Sequence, residues 1–131
     1  MTCILIVEDD PDLAEFMAIT LRTAGHECHV AHDGVETLLA LRQFRHELLV
    51  VDIMLPDIVG LSLCERIRRD SNPEIAQIPI LVASACPEAE ARPLALAAGA
   101  DDFLSKPFSP YQLTLRVHAL LAQAARQRVA C

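Results

Sequence analysis

Lysine is almost missing from this 131-residue chain, whose 11 basic residues are ten arginines and the single Lys106. Tryptophan is absent and aromatic residues make up 4% of the chain, which disfavours a base-stacking surface for single-stranded nucleic acid. Acidic residues number 18, and the resulting charge of −7 argues against direct nucleic-acid binding, which needs clustered Lys and Arg. Only four glycines occur, and no Gly-rich segment follows the first apolar run. A nucleotide- or flavin-phosphate loop therefore has no place there. No stretch approaches the roughly 18 apolar residues that span a membrane. The start, MTCILIVEDDP, has no basic region ahead of its apolar run and does not read as a signal peptide. The five cysteines (Cys3, Cys28, Cys64, Cys86 and Cys131) are scattered without a CxxC pair. They read as reduced thiols of a cytoplasmic protein.

What is present suits one folded domain. Hydrophobic residues make up 53% of the chain and charged residues 22%, too apolar a balance for a disordered tail. Short apolar runs alternate with amphipathic stretches. Ile4–Val7, Cys28–Ala31, Leu48–Val51, Ile80–Ala83 and Asp102–Leu104 read as strands. Asp10-Pro11 supplies a cap and first turn for a helix ended by Gly25. Asp33-Gly34 opens a second helix, with Val35, Leu38 and Leu39 expected to face inward. Gly60 precedes a third, which Ser71-Asn72-Pro73 breaks. A fourth is expected to begin late, near Ala91 or Arg92, because Pro93 is tolerated only in a first turn. Ser109-Pro110 starts the fifth. Continuous apolar strands imply a parallel sheet covered on both faces, so the pattern predicts a three-layer α/β sandwich with five helices.

In such a sheet, ligands bind beyond the carboxyl ends of the strands. Here those ends carry Glu8-Asp9-Asp10, Asp52, Ser84 and Lys106. Two like charges 4 Å apart repel by about 4 kcal/mol at an effective dielectric of about 20, and a divalent cation relieves this. Oxygen ligands without His or Cys select Mg²⁺. Carboxylates, metal, one ammonium and a hydroxyl suit a phosphoryl group, whose oxygens need neutralising during transfer. Each piece alone has a bland reading, as a helix cap, a turn residue or solvated surface. Their convergence on four strand ends is the specific signal. His26, His29 and His32 are spaced by three, so adjacent members should face opposite sides of a strand and share no metal.

The segments ILIVEDDP, VVDIMLPDIVG, LVASA and GADDFLSKPFSP, in this order and spacing, resemble the receiver domain of bacterial two-component response regulators. The resemblance covers residues 2–125, giving a receiver domain over 1–125 and a polar tail or start of a linker over 126–131. It implies a flavodoxin-like five-stranded sheet of order 2-1-3-4-5. It makes Asp52 the phosphoacceptor. Mg²⁺ would be held by Asp9, Asp52 and the backbone carbonyl of Met54, with Glu8 acting through water and Asp10 left as a cap. Lys106 would contact a phosphoryl oxygen, and its bond to Pro107 is expected to be cis. Ser84 and Phe103 would be the switch pair, and Met54 and Cys86 would tune dephosphorylation.

The implied function is a phosphorylation-dependent signalling switch. A sensor histidine kinase is the partner, and the domain catalyses its own aspartyl phosphorylation and dephosphorylation without acting as an enzyme on other substrates. The responding surface is the fourth helix, fifth strand and fifth helix, through which some receivers form homodimers with cross-subunit ion pairs. Asp101, Asp102, Arg116 and Arg92 match part of that pattern, whereas Gln112 stands where arginine is common. Two rivals use similar parts. A phosphatase of the haloacid dehalogenase type needs a second Asp two residues after the nucleophile, where Met54 stands. A phosphorylation-independent pseudo-receiver does not need the complete residue set found here.

Overall fold

Each apolar run forms a strand, and the strands lie parallel in one sheet of order β2-β1-β3-β4-β5. The computed structural model describes residues 1–130, with side chains through Gln127. The strands are β1 (Cys3–Val7), β2 (Glu27–Ala31), β3 (Leu48–Val51), β4 (Ile80–Ser84) and β5 (Asp102–Ser105). Every residue of β1, β3 and β4 is buried, as a sheet covered on both faces requires. This is the flavodoxin-like order expected.

The helices are α1 (Pro11–Thr23), α2 (Gly34–Gln43), α3 (Gly60–Arg68), α4 (Pro73–Ala76), α5 (Glu88–Ala97) and α6 (Pro110–Ala130). On one face, Met17 and Leu21 of α1 and Leu113, Val117 and Leu120 of α6 pack over Ile4, Ile6, Val50 and Leu81. On the other, Leu41, Leu63, Ile67, Ile75 and Ala95 from α2 to α5 cover Leu5, Val7, Leu49, Val51 and Phe103. Gly25 and Gly99 follow the ends of α1 and α5 with φ of 99° and 106°, the left-handed geometry that glycine adopts without strain. Among the described residues no helix is long and apolar enough to cross a membrane.

Four local expectations need correction or extension. Six helices form among the described residues, because Asn72 and Pro73 also start one: the Asn72 side chain accepts from the Glu74 amide at 3.0 Å, and Pro73 takes the first position. α5 begins at Glu88 and carries Pro93 inside it. The proline removes a bond to the carbonyl of Ala89, an exposed residue whose carbonyl water can serve. The buried stripe of α2 is Gly34, Thr37 and Leu41, whereas Val35 and Leu39 are exposed. Thr37 tolerates burial because its hydroxyl donates to the Asp33 carbonyl at 2.8 Å. Finally, the polar residues after 125 prolong α6 to Ala130. The thiol of Cys131 and the side chain of Arg128 lie outside the described residues.

Candidate functional site

The carboxyl ends of β1 and β3 are adjacent, so the residues following them meet. The Glu8 amide donates to Ala31 O at 3.0 Å and the Asp52 amide to Val7 O at 3.1 Å, which carries the strand pairing one residue further. Glu8, Asp9 and Asp52 thereby bring carboxylate oxygens within 4.8 Å of one another. Glu8 and Asp52 are buried and Asp9 is exposed, so the cluster opens to solvent at Asp9. Asp10 is separate: its carboxylate accepts from the amides of Asp12 at 3.0 Å and Leu13 at 3.4 Å, capping α1 as expected.

Lys106, from the loop after β5, reaches into this cluster. Its Nζ donates to Glu8 Oε1 at 2.6 Å and Asp52 Oδ2 at 3.0 Å. Burial alone would lower the ammonium's pKa, but the bonds to Glu8 and Asp52 outweigh it and hold the pKa above the ordinary lysine value. Burial holds Glu8 above the ordinary glutamate value, although the bond from Lys106 and one from the Asp10 amide oppose it. One ammonium against three carboxylates leaves an excess of negative charge over hard oxygen donors. That donor set fits Mg²⁺ and contains no nitrogen or sulfur to favour zinc.

The other expected residues sit around this centre. Ser84 ends β4, is fully buried, and its Oγ accepts from the Cys86 amide at 3.2 Å. The Lys106 amide donates to Ser84 O at 2.9 Å, tying the loop after β5 to β4, and the Lys106–Pro107 bond is cis. Met54 is exposed, and its amide lies 3.3 Å from Asp52 Oδ1. Phe103 is fully buried within the core on the α2–α5 face. Its carbonyl accepts from Arg116 at 2.9 Å and Arg92 at 3.4 Å.

Those two arginines and the aspartates expected at a dimer surface pair within the chain. Asp102 bridges Arg92 at 3.1 Å and Arg116 at 3.1 Å, linking α5, β5 and α6. Asp101 pairs with Arg68 at 3.0 Å and accepts from the Ile80 amide at 2.8 Å. Beside them, Leu94, Tyr111 and Leu115 are exposed apolar side chains.

Two positioning residues escaped the sequence reading. The Asp57 carboxylate accepts from the amides of Gly34 at 2.8 Å and Val35 at 3.0 Å, which fastens the loop after Asp52 to the start of α2. These amide bonds hold its carboxyl below the ordinary aspartate value. Gly60 lies so close to the backbone of Asp52 and Ile53 that a Cβ there would meet Asp52 O at 2.1 Å and Ile53 Cα at 2.8 Å. Both lie in the segment VVDIMLPDIVG, but nothing in the local pattern shows which distant backbone each one meets. The Cys28 and Cys64 thiols behave as inert core groups, burial pushing Cys28 up to about 11 and Cys64 up to about 12.

The response regulator receiver domain family matches residues 4–118. Over 118 residues the chain is 41% identical to the DNA-binding response regulator MtrA of Mycolicibacterium smegmatis, covering 90% of this chain and 50% of that protein. It is 36% identical over 126 residues to the DNA-binding dual master transcriptional regulator RpaA of Synechocystis, covering 96% and 52%. The chain thus spans about half the length of these curated relatives. Among solved structures, the receiver domain of the Francisella response regulator 1452 superposes with a TM-score of 0.86 at 30% identity, covering 95% of this chain and 99% of that one.

Proposed function

Because the chain belongs to the response regulator receiver domain family of two-component systems, we propose that it is a phosphorylation-dependent switch with Asp52 as the phosphoacceptor. The observation that carries this reading is the three-way contact at Lys106. The only lysine of the chain bonds both buried carboxylates of the acidic cluster. A histidine kinase or a small phosphodonor presents a phosphoryl group to the Asp52 carboxylate. The aspartate oxygen attacks phosphorus in line, the bond to the donor atom breaks, and an acyl phosphate forms. Lys106 moves from Asp52 Oδ2 to a phosphoryl oxygen. Asp9, Asp52 and the Met54 carbonyl would hold Mg²⁺, with Glu8 acting through water. When bound, that ion neutralises the phosphoryl oxygens.

The new group carries a charge of about −1.5 to −2 beside Ser84, in place of the single negative charge of the Asp52 carboxylate. Ser84 Oγ leaves the Cys86 amide for a phosphoryl oxygen, and the loop carrying Cys86 and the start of α5 follow. Phe103 of β5 belongs to the core cluster against which Cys86 of that loop packs, and its carbonyl is held by arginines of α5 and α6. The change therefore reaches the α5–β5–α6 surface as a shift between two packings. The exposed Leu94, Tyr111 and Leu115 give that surface apolar contacts for a second copy or an output partner. Cross-subunit pairing would require Asp102 to exchange Arg92 or Arg116 for a partner's arginine. The two named relatives bind DNA, so a transcriptional output through sequence beyond Cys131 is one fate of the signal. A stand-alone receiver in the cytoplasm is the other.

Incubation with acetyl phosphate and Mg²⁺ tests the chemistry. The intact mass should gain one phosphoryl group, and Asp52→Asn or chelation should abolish the gain. No modification by any donor would favour the pseudo-receiver, and steady turnover of varied phosphoesters would favour the phosphatase.

A further inference from the structure

We propose that Cys3, His29 and His46 form a binding site for one divalent transition-metal ion of the zinc class, at the pole of the sheet opposite Asp52. The three offer Sγ, Nδ1 and Nε2 atoms within 4.8 Å of one another. Sheet register brings them together. Cys3 pairs with Glu27 and Leu5 with His29, so Cys3 and His29 share the face that carries Leu5 and Val7. His46 arrives from the connection between α2 and β3. That connection is tied twice to the first residue of β1: the Glu47 amide donates to Cys3 O at 2.8 Å, and the Cys3 amide donates to Glu47 Oε2 at 3.0 Å.

The distances are close to those of a metal site. His29 Nδ1 lies 2.8 Å from His46 Nε2 and 3.8 Å from Cys3 Sγ. Tetrahedral zinc with its usual bond lengths separates two nitrogens by about 3.3 Å and a nitrogen from sulfur by about 3.6 Å. Seating an ion requires the two rings to part by roughly half an ångström while the thiolate stays near its place.

The surroundings also fit. His29 turns its other nitrogen, Nε2, toward the Glu27 carboxylate at 3.5 Å, the outer partner that fixes a ligating imidazole's tautomer and orientation. The Phe44 ring lies 4.9 Å from His29 and supplies an apolar wall. His46 is buried, its Nδ1 has no hydrogen-bond partner, and its single side-chain bond points into the cluster. A cavity of about 340 Å³ reaches His46 from solvent between Arg45, Glu47 and Pro79. The mixed sulfur and imidazole donors select zinc-class ions over Mg²⁺, so this site and the acidic cluster do not compete for the same metal. Water completes the coordination. The proposal stands apart from phosphoryl transfer.

The test is titration of the full chain with Co²⁺ and Zn²⁺ in saturating Mg²⁺. One equivalent of Co²⁺ should bind and produce a thiolate-to-metal charge-transfer band. Cys3→Ser should remove the band, and His46→Gln should remove tight binding. Glu27→Gln changes an exposed side chain that the fold does not need, and should weaken Zn²⁺ by about 10- to 100-fold. Asp9→Asn, in the acidic cluster, and His118→Ala, at the separate His26–His118 contact, should leave affinity unchanged. Absence of the thiolate band overturns the proposal. So does unchanged affinity in Glu27→Gln, or loss of binding in Asp9→Asn or His118→Ala.

Discussion

Lys106 holds two carboxylates that would otherwise face each other in a buried pocket. Its side chain is 15% exposed, and those of Glu8 and Asp52 are 3% and 9% exposed. Removing one member of a buried ion pair leaves an uncompensated charge, so Lys106→Met should destabilise the metal-free protein by roughly 3 kcal/mol. Mg²⁺ should restore part of that loss, as read from urea midpoints with and without the ion. Lys106→Arg keeps the charge but not the compact ammonium, so it should retain Mg²⁺ binding while uncoupling phosphorylation from the surface change. Tryptophan is absent, so binding is best followed by calorimetry and the surface change by amide exchange across α5–β5–α6. Gly60 tests the backbone beneath the same site. Gly60→Ala forces a Cβ into the Asp52 carbonyl. It should cost about 1–3 kcal/mol of stability and slow phosphorylation by acetyl phosphate. These residues differ in how they show in sequence. Lys106 and Asp52 end apolar strands, which announces them. Gly60 acts through a contact across a loop closed by the Met54–Val59 bridge, and no local pattern encodes that.

Helix α2 shows how an element is positioned by residues outside it. Asp33 caps it by accepting from the Glu36 amide at 2.8 Å, a signal visible in the sequence. Asp57 serves the remaining first-turn amides from 22 and 23 residues away. Because the Asp57 carboxyl titrates below its ordinary range, the ionised form is favoured by folding. Its contribution is complete above the ordinary aspartate range and is lost as pH falls through its depressed value. The difference in urea midpoint between wild type and Asp57→Asn should therefore be present at neutral pH and close on acidification. A difference independent of pH would contradict this. The same distinction between local and distant causes separates correct from incorrect helix expectations. The caps at Asp10 and Asp33 and the helix end at Gly25 were legible because cap chemistry is local. The face of α2 was not, because Thr37 is buried through a backbone bond that hydropathy does not register. The late start expected for α5 failed for a related reason: an exposed carbonyl makes an interior proline tolerable.

For the whole molecule, alternating apolar runs and helical stretches determined the layers, and polar strand ends determined which edge carries the chemistry. The sheet assembles β1, β3, β4 and β5 in register, so residues from 8 to 106 in sequence meet at that edge. The opposite pole was not legible. His26, His29 and His32 are spaced by three, and each has its own neighbours: His118, His46 and Glu36. The sequence held no hint that His29 would meet His46 and Cys3, because that meeting depends on the β1–β2 register and on a connection folding back. The central claim is that the edge bearing Asp52 takes a phosphoryl group on that carboxylate. The most direct measurement is borohydride trapping after acetyl phosphate and Mg²⁺ treatment, which reduces an acyl phosphate to a homoserine that peptide mass mapping can locate. The account predicts homoserine at position 52 alone. Homoserine at Asp9, Asp10 or Asp57 with Asp52 intact would contradict it.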